Sequence, residues 1–183
     1  MKKIIALVLG FIMLLTCAAA LAEAEKISMG TLKVGKAFDI RYSELPDGYT
    51  LTIYQQNDMT IIANIKTEQE TLPRMGLVIA FNDEWADTAK LNDLSDEDLQ
   101  AIKDSFIEEY ESAEFDIRDT AFGTHLLTVK VPGGQDAYVY TIYLGHEIEI
   151  HLIPGTEQKE LTDADIERVV NFLSDMEFVP VGE

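Results

Sequence analysis

Three residues of the types that bind metals or transfer protons alternate late in the chain. Glu147, Glu149 and His151, here called the polar row, stand at i, i+2 and i+4 of a predicted strand and so share one of its faces. Neighbours on one face lie about 7 Å apart at their Cα atoms, so two of these side chains can hold a divalent cation together. Alternate residues of the strand are apolar and take the inward face: Ile148, Ile150 and Leu152. We therefore expect the polar row to point into water and to bind no metal.

The polar row also defines the alternative of an enzyme. A small metal-dependent hydrolase using Glu147, Glu149 and His151 would need further ligands from another strand, and the sequence specifies none. No serine stands in a Gly-x-Ser-x-Gly elbow, and neither a phosphate-binding loop nor a dinucleotide fingerprint is present in the sequence. We expect no catalytic residues and no cofactor.

Aromatic residues supply the candidates for partner binding. Tyr138 and Tyr140 share one face of a predicted strand, where an exposed pair would form a platform for sugar rings or a peptide. The same strand is apolar on both faces, which is typical of a central strand beneath a helix, and this burial is the reading we favour. Trp85, in an acidic stretch, is either a partly exposed anchor for a partner or a lid on the edge of the core.

Strand signals dominate the elements that position these residues. Residues 51–55 and 59–67 predict a hairpin, and the continuous apolar run 75–81 predicts a strand covered on both faces. Four further strands, separated by short glycine-containing turns, predict an antiparallel meander: 114–121, 125–131, 136–144 and 147–153.

Two capped helices complete the pattern. Ser95 with Asp98, and Thr162 with Asp165, stand three residues apart ahead of apolar stripes of helical period. The predicted fold class is therefore α+β: a mainly antiparallel β-sheet meander with two amphipathic helices, in a layered α/β sandwich. Residues 37–183 form one domain of ordinary size, and the polar, mixed segment 23–36 is expected to be flexible.

The first 22 residues predict export. Lys2 and Lys3 precede an apolar run of about a dozen residues, too short to span a bilayer, and Ala20-x-Ala22 fits a signal peptidase site. We expect cleavage between Ala22 and Glu23, which leaves a chain without cysteine and without a transmembrane segment. The alternative is a lipoprotein anchored at Cys17, although Thr16 is a poor fit to the position before a lipidated cysteine.

The charge of the exported chain limits its partners. Removing Lys2 and Lys3 leaves 12 basic residues against 33 acidic ones, a net charge of −21. Such an excess repels nucleic acid and anionic lipid, so nucleic acid is excluded as a partner. We expect the partner to be a protein or small ligand outside the cytoplasm.

One resemblance rests on the strand Phe38-x-Ile40, which runs into Leu45-Pro46-Asp47-Gly48-Tyr49. With the mid-chain helix, the glycine-punctuated meander and a last helix ending in Met176-Glu177-Phe178, this order resembles the PsbP-type extrinsic photosystem domains. The wider group includes Ran-binding nuclear import factors and exported bacterial relatives. The resemblance covers most of residues 37–179 and implies an antiparallel sheet between helices and a non-enzymatic binding or assembly role.

The function predicted from these observations is a secreted, non-catalytic binding or accessory domain of a bacterium. Besides the hydrolase, a proteinaceous inhibitor of a secreted enzyme is an alternative. The inhibitor rests on secretion and on a suspected duplication, since Phe38-Asp39-Ile40-Arg41 recurs as Phe115-Asp116-Ile117-Arg118.

Overall fold

The computed structural model describes residues 30–42, 45–46 and 48–181. The predicted signal peptide 1–22, with Cys17, lies outside the described residues. Ten strands and two α-helices form within them, and the α+β prediction is confirmed. The strands are β1 (Gly30–Val34), β2 (Phe38–Tyr42), β3 (Tyr49–Gln56), β4 (Thr60–Thr67), β5 (Arg74–Phe81), β6 (Glu114–Asp119), β7 (His125–Lys130), β8 (Ala137–Tyr143), β9 (His146–Ile153) and β10 (Glu177–Pro180), and the helices are α1 (Asp96–Glu109) and α2 (Asp163–Ser174).

Seven strands form one antiparallel sheet in the order β3-β4-β5-β9-β8-β7-β6. Two meanders, β3 to β5 and β6 to β9, meet where β5 pairs with β9. The β8–β9 hairpin turns through Leu144 and Gly145, both with positive φ (47° and 73°), as a two-residue turn that matches the strand twist requires. The predicted meander and the predicted hairpin of β3 and β4 are therefore confirmed.

The main core lies on one face of this sheet. A smaller sheet, in the order β1-β2-β10, packs there together with α2. Helix α2 begins with a reciprocal capping box, in which Thr162 and Asp165 each bond the backbone N–H of the other. Its residues Val169 and Leu173 are fully buried against the large sheet.

Helix α1 covers part of the opposite face. It begins after Ser95, whose Oγ accepts a hydrogen bond from the Asp98 N–H at 3.1 Å. The helix buries Ile102 and Phe106, and the Phe106 ring lies 5.3 Å from that of Tyr138 on β8. The large sheet is therefore the middle layer of a sandwich.

The predictions for both ends of the domain are wrong, because each end forms a strand. The segment 23–36 was predicted to be flexible, yet residues 30–34 form β1, and Leu32 and Val34 are buried against the core. Their alternation spans only five residues among polar neighbours, so tertiary pairing with β2 decides the structure. At the other end α2 stops at Ser174, and the residues after Met176 form β10 on the free side of β2.

The two segments that suggested a duplication occupy different places in the fold. Phe38–Arg41 lies in β2, the buried middle strand of the small sheet. Phe115–Arg118 lies in β6, the exposed edge strand of the large sheet. Because the two copies occupy unlike places, the repeated letters give the inhibitor alternative no structural support.

Candidate functional site: a buried polar row and a groove along the last helix

The polar row lies in the interior of the sandwich. Glu147, Glu149 and His151 are 5%, 7% and 4% exposed, so the prediction that they point into water is wrong. Strand β9 is the middle strand of the seven, and both of its faces are covered. The side that carries the polar row borders the cluster that α1 forms with the aromatic residues of β8.

Glu147 is the acceptor of a three-donor network. Its Oε1 accepts hydrogen bonds from Asn82 Nδ2 at 3.1 Å, Trp85 Nε1 at 3.0 Å and the Tyr140 hydroxyl at 3.0 Å. Asn82 and Trp85 lie 65 and 62 residues away in the sequence, Tyr140 lies on the neighbouring strand, and together they satisfy the buried carboxylate. Trp85 and Tyr140, both candidates for partner binding, are consequently buried parts of the fold at 8% and 4% exposure.

His151 belongs to a second network on the same face. Its Nε2 lies 2.7 Å from Asp136 Oδ1, and its ring stacks on Tyr138 with centroids 4.4 Å apart. The Tyr138 hydroxyl is hydrogen-bonded to the hydroxyl of Tyr110, and burial raises the pKa of both phenols. Tyr138 is fully buried, which confirms the reading as core and removes it as an exposed platform.

Glu149 lies between these two networks and differs from both neighbours. Its carboxyl makes no hydrogen bond with any of the residues that the structure describes. Burial, and then the charges of Glu147 and Glu109, raise its pKa to about 8. Glu149 is therefore a largely protonated, buried acid at neutral pH.

The arrangement explains what the polar row can do. Glu147 and His151 form hydrogen bonds with other side chains inside the protein, so they stabilise the fold. Over residues 30–42, 45–46 and 48–181, no three His, Cys, Asp or Glu side chains are grouped to hold a metal ion. Of the three, Glu149 alone has no hydrogen bond with the residues that the structure describes.

The other two histidines lie elsewhere. His125 Nε2 is 3.1 Å from Asp119 Oδ1 at the exposed end of the β6–β7 pair. His146 Nδ1 is 2.8 Å from the Leu144 carbonyl, and burial lowers the pKa of its ring. His146 packs edge-on against Phe38 and Phe81, a core environment.

A groove of about 570 Å³ runs along α2, and no sequence pattern predicted it. Helix α2 forms one wall, and residues 45–46 and the β4–β5 turn form the other. Its volume is in the range of small-molecule sites. The α2 groove is lined by Leu45, Pro46, Gln69, Leu72, Arg168, Asn171, Phe172 and Asp175.

Arg168 is held in this groove by a built network. Its Nη1 donates a hydrogen bond to Asp165 Oδ1 at 3.2 Å. The other carboxylate oxygen of Asp165, Oδ2, accepts hydrogen bonds from the side-chain amide of Gln158 and from the backbone N–H and the hydroxyl of Thr162. Burial raises the pKa of Tyr49 to about 12, and the adjacent Arg168 partly offsets that rise. The available sequence signal was an arginine three residues after the predicted cap Asp165, on the same side of the helix.

Pro46, from the segment that was predicted to turn, lines the opposite wall, and its carbonyl accepts a hydrogen bond from the Tyr49 N–H at 3.0 Å. Gly48 has φ +83°, and a Cβ at this position would lie 2.3 Å from Gln69 Nε2. The positive φ favours glycine at this position, and the neighbouring Gln69 lines the groove.

A second groove, of about 320 Å³, lies between residues 130–134 and 160–161. Its basic group is Lys130, whose ammonium is paired with Asp163 at 2.6 Å. The second groove is the smaller of the two and therefore the weaker candidate.

Comparison with models of known protein families gives no match, and none of the curated proteins compared matches the chain. Among the helices in the described part of the chain, none combines the length and apolar character needed to cross a membrane.

Proposed function

We propose that this chain is an exported, non-catalytic binding module of a bacterium and that its ligand occupies the α2 groove. One observation carries the proposal: Glu147 and His151 of the polar row are hydrogen-bonded inside the fold, whereas polar side chains of the α2 groove line open space. Glu147 already accepts from three donors, and Arg168 presents a guanidinium with five N–H groups beside a cavity of about 570 Å³.

Two sequence features support the wider setting. The basic residues, apolar run and Ala20-x-Ala22 site of the first 22 residues support export. The resemblance in element order to the PsbP-type domains supports a role in binding or assembly.

The hydrolase alternative finds less support in the geometry. A general base or metal ligand must reach the reacting group, and Glu147 and His151 are committed to Trp85 and Asp136 among others. Glu149 remains as a single buried acid, and one acid without a partner group does not make a hydrolytic site.

NMR mapping tests the proposal. We expect that benzoate, benzylammonium or N-acetylglucosamine, each titrated into ¹⁵N-labelled protein, shifts amide signals of residues 69–72 and 168–175. The response to benzoate should weaken in Arg168→Gln, which removes the cation of the groove. It should persist in Arg118→Gln, which removes the same charge outside the groove, where Arg118 pairs with Glu167 of α2.

Two results would overturn the proposal. One is a failure of all three probes to shift the groove signals. The other is turnover of p-nitrophenyl acetate above the solvent rate that Glu149→Gln abolishes, which would favour the hydrolase.

A further inference from the structure

The α2 groove carries opposite charges at its two ends. Arg168 and Asp175 both line it, and they stand seven residues apart on or just after one helix. Seven residues are close to two helical turns, so the two side chains share one side of α2 about 10 Å apart.

The helix itself reinforces this polarity. The aligned peptide dipoles place partial positive charge towards Asp163 and partial negative charge at Ser174. The negative end favours a ligand cation beside Asp175, whose backbone caps the helix. At the other end of the groove, the guanidinium of Arg168 itself favours a ligand anion.

Between these ends the lining suits a peptide. Gln69 and Asn171 carry amides that both donate and accept hydrogen bonds, as a peptide unit requires. Leu45, Leu72 and Phe172 give the groove an apolar wall on which a side chain can rest.

The charge of the whole protein narrows the choice of ligand. The full sequence has a net charge of −19, so the protein repels a ligand that carries only negative charge. The same charge attracts every cation to the acidic surface, which gives a purely cationic ligand no preference for the groove. A ligand that carries one charge of each sign has no net charge to be repelled and uses both ends of the groove.

We infer that the α2 groove binds a short peptide with free ends, its carboxylate at Arg168 and its ammonium at Asp175. An extended chain spans at most about 3.5 Å per residue, so about three residues match the separation of the two charges. An apolar middle side chain rests against the wall formed by Leu45 and Phe172. This inference rests on the proposed function and names the ligand class of the same site.

Calorimetric titration with Ala-Leu-Ala, its N-acetylated form and its C-terminal amide tests the inference. Each blocked end removes one charge, and we expect each blocked peptide to bind about tenfold more weakly than the free one.

Variants assign the ends. Arg168→Gln should weaken the free peptide about tenfold and leave the affinity of the amide unchanged, because the amide has no carboxylate to lose. Asp175→Asn should weaken the free peptide and leave the N-acetylated form unchanged. Matched controls are Arg118→Gln and Asp163→Asn, which remove the same charges from the β6 edge and from the start of α2. Both controls should bind like the wild type.

The outcomes separate this inference from the proposed function. Equal binding of free and blocked peptides, or full binding by Arg168→Gln, would overturn the ligand class. Absence of peptide binding would do the same. In each of these cases the amide signals of the groove can be tested again with benzoate, benzylammonium and N-acetylglucosamine. A response to any of these probes would still support the proposed function as a binding module.

Discussion

Replacement of Glu149 by glutamine should stabilise the protein, and more so as the pH rises. Burial, with help from the charges of Glu147 and Glu109, raises the pKa of the Glu149 carboxyl from its ordinary 4.5 to about 8. The folded protein thus holds this proton more tightly than the unfolded chain does. Its stability consequently falls as the pH rises from about 4.5 to about 8, where the unfolded chain has released the proton and the folded protein has not.

The size of the effect follows from the same values. A tenfold difference in proton affinity is worth about 1.4 kcal/mol, so a pKa raised from 4.5 to about 8 lowers the free energy of unfolding by up to about 5 kcal/mol at pH 9. At pH 5.5 the loss is about 1 kcal/mol. Glu149→Gln keeps the shape and removes the charge, so its gain should be at least about 2 kcal/mol larger at pH 9 than at pH 5.5.

Urea denaturation of the wild type and two variants at both pH values measures this difference. Any cost of burying the glutamine amide is the same at both pH values and cancels in the comparison. Glu147→Gln is the matched control, since it makes the same change two residues away on the same strand. It weakens an acceptor of three hydrogen bonds and should lower stability at both pH values. An equal effect of Glu149→Gln at the two pH values, or a loss of stability at pH 9, would show that the folded protein does not hold the Glu149 proton more tightly than the unfolded chain.

Three further predictions concern the helix, the export signal and metal binding. Leu173 is fully buried, so Leu173→Ala should cost about 2–5 kcal/mol in urea denaturation, and a cost below about 1 kcal/mol would mean that α2 is not docked. N-terminal sequencing of exported protein should begin at Glu23, after Ala22; a lipid-modified Cys17 would contradict this. Calorimetric titration with Zn²⁺ should show only weak, diffuse binding, because Glu147 and His151 are already hydrogen-bonded inside the fold. A stoichiometric zinc site that is lost in His151→Ala would show that the row is a metal site.

The strands and helices were largely predictable because their signals are local. The capping pairs at Ser95 and Thr162 mark the starts of both helices, and glycine turns separate the strands of the meander. The short strand β1 was missed because five residues of alternation among polar neighbours carry little signal.

The environment of the polar row could not be predicted from alternation alone. Alternating Glu and Ile residues are typical of a strand with one wet face. In the structure this face is buried instead. The indole N–H of Trp85, 62 residues away in the sequence, donates a hydrogen bond to Glu147 inside the fold. The α2 groove is hidden for the same reason, since its walls join residues 45–46, 69–72 and 168–175, and no local pattern connects these segments.

A crystal structure of the protein grown with Ala-Leu-Ala tests the central claim, that the α2 groove is the ligand site, most directly. We predict density for the peptide between Arg168 and Asp175, with its carboxylate within hydrogen-bonding distance of the guanidinium and the polar row unchanged. Peptide bound beside Glu149 with the groove vacant would show that the α2 groove is not the ligand site.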